Sequence, residues 1–319
     1  GRGVFYYENQ NLYTVPGRAL RDNPVFAISR SSKGGFWLGT GRGMYRLSYG
    51  GLTPFAYNAF LSSKFITYVL DEQNFGLIGT SKGAYYFTDR GIEKIGDQTS
   101  LESAYVTSIL NIEGVGILIG SLNDGLFYRS TKGQWRQLDA TDGLPYGSIF
   151  SLVYDKQLKR IWVSTMKGVY RMPVEQFGTD IESLKVEQVI SSFDRQLDGK
   201  ASQCCAGLGH DAVADTGNSI WYPSLQGVVE IPKSVELFGV QALKPRIESL
   251  ITPLRHLSTA TLGSKPELHI DERDVTLKYT AIDYYAPSSI EFRYRLSGLD
   301  SDWRYANTRR EAIYTNLPP

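Results

Sequence analysis

A glycine-marked segment recurs along this chain and limits the folds that it can adopt. In each copy an apolar run ends in a small pair such as Gly39-Thr40, a short polar turn follows, and a glycine opens a second apolar run. These marker glycines are Gly3, Gly43, Gly83, Gly125, Gly168 and Gly227. They are separated by 40, 40, 42, 43 and 59 residues. Four of the five steps match the period of about 40–45 residues of a four-stranded propeller blade, so the pattern predicts an all-β fold with a β-propeller.

The remaining strands of each blade are also visible in every period. The predicted inner strands are Val25–Ile28, Phe65–Leu70, Tyr105–Leu110 and Ile149–Tyr154. Predicted outer strands include Leu52–Phe55 and Trp135–Leu138. We expect the small pair to let neighbouring blades approach closely, and the marker glycine to take the positive φ of a tight hairpin turn. The long last step predicts an insertion in the last blade.

Composition supports a β-rich fold and excludes some functions. Aromatic residues make up 13% of the chain, and there are 32 glycines, a composition that favours strands joined by tight turns. The net charge is +1, so no nucleic acid is expected as a partner of this region. No apolar run reaches the ~18–20 residues of a membrane-spanning helix.

The two cysteines, Cys204 and Cys205, are adjacent. A bridge between neighbours makes a small strained ring, so buried unbridged thiols are the main expectation. A Cys-Cys-His metal site with His210 is the alternative, but it lacks a fourth ligand at a normal spacing. The sequence therefore predicts no metal site, no cofactor and no catalytic residues.

Two stretches carry a resemblance to known families. Trp37–Arg46 and Trp162–Arg171 resemble the two-component regulator propeller (Reg_prop) repeat. Near the C-terminus, Tyr294-Arg295-Leu296-Ser297-Gly298-Leu299-Asp300, then Trp303, then Tyr314-Thr315-Asn316-Leu317-Pro318-Pro319 resemble the triple-Tyr (Y_Y_Y) domain, an immunoglobulin-like or fibronectin-III-like β-sandwich.

The resemblance implies a domain organisation and a role. It implies a partial propeller over residues 1–237, with about five full blades of a seven-bladed one. A linker and a C-terminally truncated sandwich are then expected over residues 238–319. It also implies the periplasmic sensor region of a bacterial regulator, attached to the inner membrane only through a missing transmembrane helix. The output would be a kinase, a hybrid kinase or a diguanylate cyclase, and the intact protein would be a homodimer.

Candidate ligand-binding residues precede the marker glycines, in turns that face one mouth of the propeller. Four of the six positions directly before a marker glycine are basic. The predicted rim residues are Arg42, Lys82, Asn123, Asp124, Lys167 and Gln226. A cationic rim would suit an anionic small molecule or an acidic oligosaccharide. The alternative is that these are ordinary solvated turn residues.

The connections between blades supply a second set of candidates. These residues are Tyr57, Asn58, Lys64, Tyr105, Tyr146 and Gln203. The tyrosines could stack on sugar rings, or could pack between blades, since Tyr suits both roles.

The leading hypothesis is a ligand-sensing region without enzyme activity. A propeller glycosidase or lyase would need convergent carboxylates at a mouth, and the turns there carry one acidic residue, Asp124. A protein-interaction scaffold of the WD-repeat kind is the other alternative.

Overall fold

The chain divides into two compact units, Gly1–Leu237 and Phe238–Pro319. A computed structural model describes residues 3–21, 23–144, 147–178, 181, 183–191, 205, 212–224, 227–235, 244–259, 266–282, 290 and 292–318. Almost all of the regular structure in these residues is β. The expected all-β fold is confirmed.

The first unit opens with a hairpin and then repeats a four-stranded sheet, called a blade below. The hairpin is β1 (Phe5–Glu8) and β2 (Asn11–Thr14), followed by a short helix, α1 (Arg18–Arg21). Blade 1 comprises β3 (Val25–Arg30), β4 (Phe36–Thr40), β5 (Gly43–Ser48) and β6 (Gly51–Pro54). Blade 2 comprises β7 (Ile66–Asp71), β8 (Gly76–Thr80), β9 (Gly83–Thr88) and β10 (Gly91–Ile95).

Three further blades follow along the chain. Blade 3 comprises β11 (Val106–Ile112), β12 (Gly116–Ser121), β13 (Leu126–Ser130) and β14 (Trp135–Leu138). Blade 4 comprises β15 (Ile149–Asp155), β16 (Arg160–Thr165), β17 (Gly168–Pro173) and β18 (Glu187–Ser191). The described strands of blade 5 are β19 (Ala214–Asp215), β20 (Ser219–Ser224) and β21 (Gly227–Pro232). Short 3-10 helices lie at Asn58–Leu61, Ser100–Glu102, Ala140–Asp142 and Val174–Gly178.

Each blade is an antiparallel meander in which sequence neighbours pair. The first strands of successive blades, β3, β7, β11 and β15, contact one another in turn. They are therefore the inner strands of a β-propeller, as the repeat predicts. The predicted inner strands begin within one residue of the observed ones.

In blades 1 to 3 the first residue of the small pair is a glycine that lies where the next blade crosses it, whereas blade 4 has Ser164 at this position. A Cβ atom on Gly79 would lie only 2.5 Å from Cγ1 of Val106 and 3.0 Å from Cβ of Tyr68. The same position is occupied by Gly39 in blade 1 and Gly120 in blade 3, each with a would-be Cβ 2.7 Å from the next inner strand. Only glycine permits this spacing between blades, which confirms the role expected for the small pair.

The second residue of the pair closes the hairpin turn. In blade 1 the Thr40 hydroxyl donates to the carbonyl of Gly43 at 2.7 Å and accepts from the backbone N–H of Arg42 at 3.1 Å. Thr80 makes the same two bonds in blade 2. The six marker glycines have φ between +77° and +139°, a region that side chains with a Cβ rarely adopt. The positive φ predicted for them is confirmed.

Hydrophobic clusters fill the spaces between neighbouring blades. Between blades 1 and 2 the cluster includes Trp37, Phe55 and Phe87, and its rings meet nearly at right angles. Between blades 3 and 4 it includes Tyr128 and Phe177. Large apolar side chains therefore hold the blades together, as in sheets that pack face to face.

The second unit contains two antiparallel sheets. The strands are β22 (Arg246–Ile251), β23 (His256–Ser258), β24 (Val275–Thr280), β25 (Phe292–Tyr294), β26 (Arg304–Asn307) and β27 (Glu311–Tyr314). The larger sheet has the order β23-β22-β24-β27, and the smaller sheet pairs β25 with β26. One core cluster joins Tyr279 and Tyr314 of the larger sheet to Phe292 of the smaller, which gives this unit the two layers of a β-sandwich.

Among the described residues, no helix has the length and apolar character needed to cross a bilayer.

Candidate functional site

Turns and inter-blade connections meet at one edge of the blades, called the turn edge below. It is formed by the turns between second and third strands and by the connections from each fourth strand to the next first strand. The backbone N–H of Gly83 donates to the carbonyl of Ala104 at 2.7 Å, and that of Gly125 donates to Gly147 at 2.8 Å. The connections that follow blades 2 and 3 are therefore fixed directly against the turns of those blades.

The predicted rim residues in the described turns all lie at this edge. Arg42, Lys82 and Asn123 are exposed, whereas Asp124 and Lys167 are half-buried. Their positions follow from the hairpin hydroxyls: the backbone N–H groups of Lys82, Asp124 and Lys167 each donate to a Thr or Ser oxygen of the same turn. The turn backbone is thus fixed, while Arg42 and Lys82 present charge to solvent. Gln226 lies outside the described residues.

Two candidate residues on the connection between β6 and β7 have structural partners. Asn58 accepts from the backbone N–H of Met44 at 2.8 Å and donates to its carbonyl at 2.9 Å, so its amide extends the sheet like a strand residue. Lys64 donates to the carbonyl of Phe60 at 3.0 Å, and its ammonium lies 5.7 Å from the centroid of the Tyr85 ring. Both side chains stabilise the connection.

The described tyrosine candidates differ in position. Tyr57 packs edge-on against Phe55, and its hydroxyl donates to the carbonyl of Asp89 at 3.2 Å, in the turn between third and fourth strands of blade 2. These contacts fit packing between blades. Tyr105 is half-buried beside the turn of blade 3, where its carbonyl accepts from Leu122, and burial raises the pKa of its phenol. Tyr146 and Gln203 lie outside the described residues.

The structure corrects the expectation for the cysteines. Cys205 is disulfide-bonded, and the sequence holds one other cysteine, Cys204. Cys205 is fully buried with Trp162 and Tyr222 between blades 4 and 5. The expectation of unbridged thiols was wrong: ring strain disfavours a bridge between neighbouring cysteines but does not forbid it, and burial suits a thiol and a disulfide equally. A thiolate of Cys205 is therefore not available as a metal ligand.

The described residues contain no other candidate metal site. Within the described ranges, no three His, Cys, Asp or Glu side chains are grouped so that they could hold a metal ion. His210 and most of the predicted insertion, including 194–199, lie outside those ranges.

A groove between blades 1 and 2 was not foreseen from the sequence. Its volume is about 290 Å³, and Trp37, Phe55 and Phe87 contribute to its lining. Asp71 lies beside it and accepts from the Trp37 indole at 2.6 Å. The same carboxylate also accepts from the Ser31 and Ser32 hydroxyls and the Ser32 backbone N–H. Asp71 is thus fully engaged in joining the two blades.

Comparison with protein families identifies the C-terminal part of the chain. Residues 283–319 match the Y_Y_Y domain, which confirms the resemblance inferred from the tyrosine-rich segments. A search of curated proteins returned no match.

Solved structures with a similar fold include extracellular domains of bacterial regulators. One is from the hybrid two-component system BT3049 of B. thetaiotaomicron, with 16% identity, a TM-score of 0.54, and coverage of 100% of this chain and 49% of that one. The extracellular domain of BT4673 from the same organism has 15% identity and a TM-score of 0.51, with coverage of 93% and 35%.

A third similar structure belongs to a different kind of protein. PorZ, a surface component of the type-IX secretion system of Porphyromonas gingivalis, has 13% identity and a TM-score of 0.53, with coverage of 98% and 44%. The chain thus spans half or less of the length of each of the three. At these identities the likeness shows the fold, a β-propeller with an accompanying sandwich.

Proposed function

We propose that this chain is the ligand-sensing, periplasmic region of a bacterial regulator anchored in the inner membrane. The observation that carries the proposal is the Y_Y_Y match over residues 283–319, which follows a series of propeller blades along the chain. Two of the similar structures are extracellular domains of hybrid two-component systems. PorZ has the same fold, so the proposal rests on the domain match more than on the fold.

The turn edge is the proposed ligand site. The hairpin hydroxyls of Thr40 and Thr80 hold the turn backbone, so the exposed Arg42 and Lys82 occupy equivalent places on neighbouring blades. Two cations held at neighbouring positions on fixed turns produce a positive potential that attracts anions. An acidic oligosaccharide or another small anion is the ligand class that this arrangement favours.

The second unit is the proposed relay. Its core is a chain of aromatic contacts in which the Tyr279 ring lies 5.0 Å from Phe292 and the Tyr294 ring lies 5.7 Å from Tyr314. The Tyr314 hydroxyl donates to Asp300 at 2.6 Å, and burial together with this bond raises the pKa of Tyr314 to about 12. Such a packed core moves as one body, which suits a unit that passes on a change in dimer geometry.

Signalling requires two states that bind ligand differently. We propose that the intact protein forms a homodimer through the second unit and that ligand binding selects one dimer geometry. The chain is proposed to bind and not to transform its ligand. If the chain were a glycosidase, it would cleave an acidic oligosaccharide and release sugar products. If it were a protein-interaction scaffold, it would bind a protein and would not bind a small anion.

Thermal unfolding with a panel of acidic and neutral oligosaccharides tests the ligand site. We expect acidic members to raise the midpoint, and the Arg42→Glu, Lys82→Glu double variant to lose that rise. Arg90→Glu is the matched control, because Arg90 is exposed on a turn closed by the Thr88 hydroxyl but lies at the opposite edge of blade 2. No stabilisation by any acidic member, or equal loss in the control, would refute the proposed site.

A further inference from the structure

Blades 3 and 4 show how an aromatic side chain can fill the space between two blades. The connection from β17 to β18 spans residues 174–186 and returns Phe177 to the cleft. Phe177 is fully buried there, its ring lies 5.3 Å from Tyr128, and its carbonyl accepts from the Tyr128 hydroxyl. A plug supplied by the chain itself therefore closes this cleft.

Blades 1 and 2 have the same cleft without a plug. The corresponding connection, from β9 to β10, is only the turn Asp89–Arg90. Arg46 takes the place of Tyr128: its guanidinium donates to the carbonyl of Gly34 at 2.9 Å, as the Tyr128 hydroxyl donates to Val115 at 3.0 Å. Because no residue corresponds to Phe177, the groove of about 290 Å³ stays open.

The chemistry of the floor favours an aromatic ring. The planes of Trp37 and Phe55 meet at 87°, those of Trp37 and Phe87 at 80°, and those of Phe55 and Phe87 at 76°. Rings that meet edge to face readily accept a further ring in the same manner. The Trp37 indole N–H and the Asp71 carboxylate are already bonded to each other, so the three rings contribute mainly apolar surface to the groove.

The size and the rim of the groove suit one side chain on a peptide. The groove volume of about 290 Å³ is close to the lower end of the usual range for ligand pockets, about 300 Å³, so the groove has room for a single ring. At its mouth, Gln73 and Asn74 are exposed amides that can bond to peptide backbone. The Lys33–Asp89 ion pair, whose side chains are 55% and 81% exposed, forms the other side.

We propose that this groove binds a Phe or Tyr side chain carried by an extended peptide of a partner protein. The partner ring takes the place that Phe177 takes between blades 3 and 4. Arg42 and Lys82 are not among the residues that line this groove, so the peptide could bind whether or not the chain senses an anion.

Fluorine NMR with the peptide acetyl-Ser-(4-fluoro-Phe)-Ser-amide tests the proposal. The full chain is expected to broaden the fluorine signal in a saturable way. Unlabelled acetyl-Ser-Phe-Ser-amide should displace the probe, whereas acetyl-Ser-Leu-Ser-amide and glucose should not. Absence of saturable broadening would overturn the proposal, and so would displacement by glucose, since that would identify a sugar site.

A matched pair of variants locates the binding. Ala56 lines the groove and is exposed, whereas Ala59 is exposed on the same connection outside the groove. We expect Ala56→Trp to weaken probe binding at least roughly tenfold, equivalent to about 1.4 kcal/mol, and Ala59→Trp to leave it unchanged. Equal binding by the two variants would overturn the assignment.

Photo-crosslinking of the unaltered chain provides a check that does not depend on the folding of a variant. A peptide with benzoylphenylalanine in place of the fluorinated residue should label positions within 53–57, 71–75 or 87–89. Labelling only outside these segments would contradict the proposal.

Discussion

Replacement of Gly79 by alanine tests the packing that defines the propeller. The added Cβ would lie 2.5 Å from Cγ1 of Val106, on the inner strand of the next blade. Carbon atoms prefer about 3.5–4.0 Å, so the overlap is close to 1 Å between two strands that cannot easily part. Gly79 does not have a positive φ, so the backbone itself accepts alanine and the cost is steric. Overpacking of this kind costs about 1–3 kcal/mol.

A double-mutant cycle isolates the clash. Val106→Ala removes Cγ1 but leaves its Cβ, 3.1 Å from the new methyl group. The cost of Gly79→Ala should therefore fall by at least about 1 kcal/mol in the Val106→Ala background. The control is Gly91→Ala, where a Cβ would meet no atom within 4 Å, and we expect a change within about 0.5 kcal/mol.

The assay is urea unfolding followed by pulsed hydrogen exchange and mass spectrometry. Peptides from residues 66–121 report blades 2 and 3 alone, so the unfolding of the second unit does not enter the result. If Gly79→Ala unfolds at the same urea concentration as Gly91→Ala, or if its cost is the same with and without the Val106 side chain, the close approach of the blades is not what requires glycine.

Three further predictions concern buried polar groups. Thr80→Val removes the hydroxyl that closes the blade 2 turn and should cost about 1–2 kcal/mol by urea unfolding. Lys233→Met removes the buried ammonium group that lies 3.8 Å from Asp155 and 2.9 Å from Asp215. The unfolding free energy of blades 4 and 5 should fall by about 3–5 kcal/mol, which faster hydrogen exchange in β20 would show. Bonds from Arg255 chiefly, then from His269 and Thr252, lower the pKa of Glu272 from 4.5 to about 2. The stabilisation by ionised Glu272 is therefore present above pH 4.5 and lost as the pH falls toward 2. Protection factors in residues 246–259, which correct the exchange rate for the slower intrinsic exchange in acid, should fall over that window in the wild type and not in Glu272→Gln.

The repeat made much of the first unit predictable from the sequence. A position that must have a positive φ, such as Gly83, and a position that must lack a Cβ, such as Gly79, both require glycine. The first requirement recurs in every blade and the second in blades 1 to 3, so the spacing of the glycines indicated the fold. The strand boundaries followed, since the apolar runs between the glycines have the length of one strand.

The turn-edge residues were predictable in place but not in role. Arg42 lies in the expected exposed turn, because the hydroxyl of Thr40 fixes that turn locally. Tyr57 lies in the expected connection, yet its hydroxyl reaches Asp89 of the neighbouring blade. That contact depends on how two sheets pack, which no local pattern encodes.

The groove and the disulfide could not be predicted for a similar reason. The groove is open because the connection at Asp89–Arg90 is short and contributes no counterpart of Phe177. Only a comparison of the blade pairs shows this difference. Cys205 is disulfide-bonded, and neither the adjacent spacing of the two cysteines nor an apolar environment distinguishes a thiol from a disulfide.

The genomic sequence immediately downstream of the codon for Pro319 gives the most direct test of the sensing role. We predict that it encodes the rest of the sandwich, a membrane-spanning helix, and then a kinase, hybrid kinase or cyclase module. A stop codon at that point, or a hydrolase domain in place of the helix, would contradict the proposal that this chain is the sensor of a transmembrane regulator.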